Sequence, residues 1–181
     1  RPFFSRRIGL DNPVIAGARL SGKIGKNWRV GVLDIQTDSK DTIKAANYMV
    51  AALQRQVFNR SNVTAFLVNK QIPGAGSDTA FKGNRFSRVG GAEFNLYSQG
   101  NIWTGKAYYH QNFAEGASFE DAAMAANIKY ATQYVTATLN QSLIGPGYSS
   151  ETGYIRRKGY YQLNASLLYK FFPASSSIAN H

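Results

Sequence analysis

The sequence predicts an all-β chain: an antiparallel, up-and-down transmembrane β-barrel with about eight strands visible, forming part of a larger barrel. Three observations predict it. Apolar and polar residues alternate with a period of two in run after run. Short turns and long loops join these runs in alternation. Charged residues make up only 17% of the chain, against 44% hydrophobic residues and 11 each of Tyr and Phe, whereas a soluble domain carries about a quarter charged.

Residues two apart on a strand share a face. Near the start, Ala16, Ala18, Leu20, Gly22 and Ile24 oppose Arg19, Ser21 and Lys23. Residues 25–27 (Gly-Lys-Asn) turn the chain, and residues 28–37 return less regularly. Residues 48–58 and 63–72 are linked by Asn59, Arg60, Ser61 and Asn62. Phe86, Gly90, Ala92, Phe94 and Leu96 then oppose Glu93 and Asn95. A Gly100-Asn101 pair, a tight-hairpin signal, leads into Trp103, Gly105, Ala107, Tyr109 and Phe113 opposite Thr104, Lys106, His110 and Asn112. Residues 125–144 lack Gly and Pro and are rich in strand formers, so they read as one long strand. The clearest alternation comes last: Tyr161, Leu163, Ala165, Leu167, Tyr169 and Phe171 face away from Gln162, Asn164, Ser166 and Lys170, with Leu168 as the exception.

Long connections near residues 38–46, 73–84, 114–123 and 146–158 alternate with the short ones, the rhythm of membrane barrels. Trp103, Tyr109, Phe113, Tyr161, Tyr169 and Phe171 are the candidate membrane-interface aromatics, since bilayer interfaces select such rings at the two ends of an apolar stripe. Two segments carry helical features. Ile43, Ala46, Val50 and Leu53 lie near helical spacing within residues 41–57, and residues 118–121 (Ser-Phe-Glu-Asp) resemble a capping box before residues 122–126.

The composition excludes several function classes. With no cysteine, there is no thiol zinc site, disulfide framework or cysteine nucleophile. No apolar run approaches the roughly 20 residues of a membrane helix, which leaves strands as the spanning element. No nucleophile elbow, Walker loop or dinucleotide fingerprint is present, and the glycine-rich residues 74–78 read as a loop. His110 and His181 are the only histidines and form no metal-ligand pair; His110 reads as a lumen or rim residue. Glu115, Glu120 and Asp121 share one loop, where a solvated loop is the plainer reading than a calcium site. No catalytic residue, cofactor or metal is expected, and the chain leans away from being an enzyme.

The net charge is +11. Because the bases are scattered, they read as a barrel lumen and its rims, and no nucleic-acid partner is expected. The one dense run, Arg156, Arg157 and Lys158, lies beside Tyr154, Tyr160 and Tyr161. It is a candidate anion or glycan contact, or alternatively a rim cluster bridged to loop carboxylates.

Several stretches resemble an outer-membrane barrel domain of unknown function that follows a family-nine-type carbohydrate-binding module in Gram-negative, Bacteroidota-type bacteria. Residues 2–9 (Pro-Phe-Phe-Ser-Arg-Arg-Ile-Gly) are similar to its pre-barrel motif, and residues 18–23 to its first strand. Asn47-Tyr48 and residues 60–63 match later positions, and residues 151–157 (Glu-Thr-Gly-Tyr-Ile-Arg-Arg) resemble a further motif. Ala52 stands where the family often has a base. The resemblance implies an outer-membrane location, lipid and lipopolysaccharide as partners, a tie to glycans, and no catalytic residue. It divides the chain into a pre-barrel segment (1–12), strands and loops (13–173) and a turn or truncated continuation (174–181), an internal piece of a longer protein. The expected function is that of a pore, anchor or scaffold. The alternatives are a soluble all-β module binding glycans or anions, and the barrel part of a surface carbohydrate-active hydrolase.

Overall fold

A computed structural model describes residues 3, 8–10, 12–74, 84–113, 118–153 and 155–172. Nine strands follow one another in chain order: β1 (Val14–Ile24), β2 (Trp28–Thr37), β3 (Asn47–Val57), β4 (Ser61–Gln71), β5 (Phe86–Tyr97), β6 (Trp103–Phe113), β7 (Ala122–Ala131), β8 (Val135–Ile144) and β9 (Tyr160–Tyr169). Each pairs antiparallel with the next in a single up-and-down sheet. β1 and β9 are its two edges, and the sheet is not closed.

Two expectations need correction. Residues 125–144 are not one strand. Thr132 breaks them, its backbone amide donating to the Val135 carbonyl at 2.8 Å and its Oγ1 accepting from the Val135 amide at 3.0 Å. This raises the strand count from about eight to nine. Residues 41–57 hold no helix: residues 47–57 are β3, with their backbone groups paired to β2 on one side and β4 on the other. The Ser118 capping box does form. The Ser118 amide donates to Asp121 Oδ2 at 2.7 Å, and Ser118 Oγ accepts from the Glu120 amide at 3.2 Å. It caps only a single 3-10 turn, residues 119–121, before β7.

Directly paired residues share a face, so the register sorts every side chain. One face carries Leu20, Val32, Ala51 and Leu67 on β1–β4, and Ala107, Ala126, Leu139 and Leu163 farther along. The opposite face carries a row of amides: Gln56, Asn62, Asn95, then Lys106, Asn127, Asn140 and Asn164. Neighbours in this row bond to one another. Asn95 donates to Asn62 at 2.9 Å, and Asn127 donates to Asn140. The sheet curls toward this polar face, because Lys106 and Tyr108 of β6 border the same recess as Gln162 and Asn164 of β9.

No second layer covers the convex apolar face among the described residues. Leu20 is 68% exposed, Leu163 55% and Leu167 75%. The small buried core lies on the concave side instead, at the long-loop end, around Val89, Ala123 and Tyr148.

Candidate functional site: the concave face beneath residues 145–159

The loop after β8 folds back into the trough. Gly145 and Gly147 permit this, since a Cβ at either would collide with Glu120 or Asp121 on the preceding loop. Tyr148 inserts among Val89 and Ala123, with Phe66, Ile144 and Ile155 around it. Glu151 then reaches across the sheet. Lys70 Nζ of β4 lies 2.7 Å from its Oε2, and Asn84 Nδ2 donates to its Oε1 at 3.1 Å. One side chain thus ties the loop to strands far from β8.

Tyr148 is 4% exposed, and its hydroxyl is buried with no hydrogen-bond partner among the described residues. Burial, with a smaller contribution from Tyr108, pushes its pKa up to about 12.

Below the loop, β5 and β6 present a linked polar group. Glu93 accepts from Lys106 Nζ at 2.6 Å and lies 3.2 Å from His110 Nε2. His110 is buried between two rings. Tyr108 stacks on it at 4.5 Å, and Phe66 meets it edge-on at 4.9 Å. Gly91 sits between Phe66 and His110 in the register and leaves room for the His110 ring. His110 does lie on the polar face, as the alternation indicates, but it is an interior residue rather than a rim one.

These groups border a cavity of about 820 Å³. Arg156, Arg157, Tyr160 and Gln162 form its other side. Arg157 sits 5.6 Å from the centre of the Tyr160 ring. Of the three consecutive bases, Lys158 does not border the cavity. Neither Arg156 nor Arg157 pairs with a carboxylate among the described residues; the loop carboxylates Asp78 and Glu115 lie outside them. The sequence could not reveal Glu93, Lys106 and Tyr108 as part of this site. They lie about 50 to 60 residues from the arginines, and only the curl of the sheet joins them. Glu115 and Tyr154, together with residues 75–78, 173–177 and His181, lie outside the described residues. Among the described residues no metal-binding group occurs.

The candidate interface aromatics are all exposed, and those within strands, Trp103, Tyr109, Phe113, Tyr161 and Tyr169, lie on the convex face. Trp103 packs on Tyr130 at 4.8 Å near the short turns, and Tyr169 and Phe171 lie at the same end of β9. Tyr109 and Tyr161 share one register row nearer the long loops, with Phe113 beyond them. Trp28 joins the short-turn group, with Arg55 5.2 Å from its ring.

The short-turn group is staggered. Trp28 is in register with Leu163, through Arg55, Val63, Phe94, Ala107, Ala126 and Gln141. Tyr169 lies six residues farther along β9 than Leu163, about 20 Å at ~3.3 Å per residue. Seven strand spacings of ~4.8 Å, about 34 Å in all, separate β2 from β9. The line joining these aromatics therefore crosses the rows of paired residues at roughly 30°.

No family model, curated protein or solved structure matches this chain. The resemblance to the barrel family rests on its sequence motifs.

Proposed function

We propose that the chain is a wall segment of an outer-membrane β-barrel, with its convex face toward hydrocarbon and its concave face lining an aqueous lumen that residues 145–159 narrow. The observation that carries this reading is the exposed apolar belt bounded by aromatics and crossing the strands obliquely. Barrel strands tilt by about 35–45°, so a level bilayer boundary must cross the rows of paired residues at a similar angle. The belt also has the right height. Trp103 and Phe113 are ten residues apart on one face, about 33 Å of strand, which at a tilt of ~40° stands about 25 Å tall, as barrel belts do.

The concave face suits water. A row of amides is stable on a hydrated surface and costly against lipid. Its strand-borne bases, Arg19, Lys23, Arg29, Lys70, Lys106 and Lys129, outnumber the one strand-borne acid, Glu93, and Glu151 of the folded-back loop, which pairs with Lys70. Such a lumen favours anions.

Closure needs more strands. In an odd-numbered meander the edges β1 and β9 run in the same direction, so they can join each other only in parallel. Bacterial single-chain barrels close antiparallel with even strand numbers. An odd number of further strands, supplied by the same polypeptide, completes this wall. The motif resemblance adds a Gram-negative envelope, lipopolysaccharide around the barrel and a link to glycans; the wall serves there as pore, anchor or scaffold. A soluble module would need its convex face covered, and nothing among the described residues covers it; the barrel part of a surface hydrolase would share the wall proposed here.

The chain has two tryptophans, Trp28 and Trp103. With the full polypeptide in vesicles and any tryptophan outside these residues replaced by phenylalanine, lipids brominated near the headgroup should quench both strongly, and lipids brominated near the chain ends should quench them weakly. Failure of every brominated lipid to quench either tryptophan would contradict the reading.

A further inference from the structure

The cavity beneath residues 145–159 has the makings of a ligand site. It holds about 820 Å³, within the usual range for small-molecule pockets of roughly 300–1,000 Å³. Three cations border it, Lys106, Arg156 and Arg157, against one carboxylate, Glu93. Lys106 and Glu93 are already paired at 2.6 Å, so the two guanidiniums carry the uncompensated charge. A guanidinium fork matches the two oxygens of a carboxylate.

Aromatic surface flanks this charge. Tyr108 and Tyr160 come from β6 and β9, and both border the cavity. Flat ring faces accept flat or saturated rings alike.

We infer that this cavity binds a small ring compound bearing a carboxylate, with Arg156 and Arg157 taking the carboxylate and Tyr108 and Tyr160 flanking the ring. Glu93 disfavours a multiply charged phosphate, because its own negative charge borders the same space. It retains acceptor capacity beyond its two partners, which suits ring hydroxyls. The assignment does not depend on what the convex face meets, so its test is separate from the vesicle experiment.

The test is calorimetric titration of the full polypeptide in detergent with four probes and inorganic phosphate. Benzoate and glucuronate carry the carboxylate on an aromatic and on a saturated, hydroxylated ring. Benzamide and glucuronamide are their uncharged counterparts. At least one acid should bind ten-fold or more tightly than its own amide and than phosphate, and which acid it is identifies the ring. The double variant Arg156→Gln/Arg157→Gln should weaken that acid at least ten-fold. Both arginines are exposed, so the variant should fold; Lys158→Gln, outside the cavity, should leave affinity unchanged. Equal binding of acid and amide, phosphate binding as tightly as either acid, no binding of either acid, or an unaffected double variant would overturn the assignment.

Discussion

Tyr148 concentrates the physics of the loop in one side chain. Its ring fills the concave core beside Val89 and Ala123, while its hydroxyl is buried without a partner among the described residues. Tyr148→Phe keeps the ring and removes the orphan group, so it should stabilise the empty protein by about 1 kcal/mol, and Tyr148→Ala should cost about 3 kcal/mol or more. Urea unfolding in detergent checks both; a Phe variant less stable than the parent would show that the hydroxyl has an acceptor. The pH dependence follows from the same burial. The folded-state pKa, about 12, lies above the unfolded tyrosine value of about 10. The neutral phenol is therefore the form the fold prefers. Its contribution is complete below pH ~10 and is lost as the pH rises from there toward ~12. Proteolysis within residues 145–159 should accelerate in that window for the parent but not for Tyr148→Phe.

At the scale of the strand, the two faces should respond oppositely to the same change. Leu139 pairs with Ala165 midway between Tyr161 and Tyr169 on the convex face, and Asn140 is its concave neighbour. Leu139→Arg should destabilise the protein in vesicles by about 2–4 kcal/mol, as a base at the bilayer midplane does, whereas Asn140→Arg should cost less than about 1 kcal/mol. Equal costs would mean that the faces meet the same medium. Most of this element structure was legible in the residues. Alternation placed the apolar stripes of β1, β5, β6 and β9, and Gly25 and Gly100 marked two of the turns, each with a positive φ. The turn at residues 132–134 carries no glycine or proline. Its signal was a phase slip: apolar residues are even-numbered at Met124, Ala126, Ile128 and Tyr130, then odd-numbered at Val135, Ala137 and Leu139. β3 was ambiguous because both of its faces bear apolar residues, Val50 inward and Met49 and Leu53 outward, which blurs a period of two into one near helical. The cavity was half legible. Arg156 and Arg157 stood out as a dense run, while Glu93, Lys106 and Tyr108 joined them only through register and curl, which local pattern does not encode.

For the whole molecule, one sheet with two unlike faces replaces the usual layered core. The bonded amides and hydroxyls on one side and the mostly Leu, Ala and aromatic residues on the other, where Asp34 is bonded to Asn47 and Arg55 and Arg88 lie toward the ends of the strands, ask for two solvents. The edges ask for further backbone, since β1 and β9 leave long rows of amide and carbonyl groups facing outward with no proline within either strand. These 181 residues hold no cysteine, so the two-solvent claim can be tested in a polypeptide whose cysteines elsewhere, where present, are replaced by serine. Single cysteines placed in turn at 136–143 along β8, with the full polypeptide in vesicles, should alternate. Positions 136, 138, 140 and 142 should react with a water-soluble, membrane-impermeant maleimide; 137, 139, 141 and 143 should resist it and, once labelled with a fluorophore, be quenched from within the lipid. Uniform reaction along β8, with no period of two, would contradict the account.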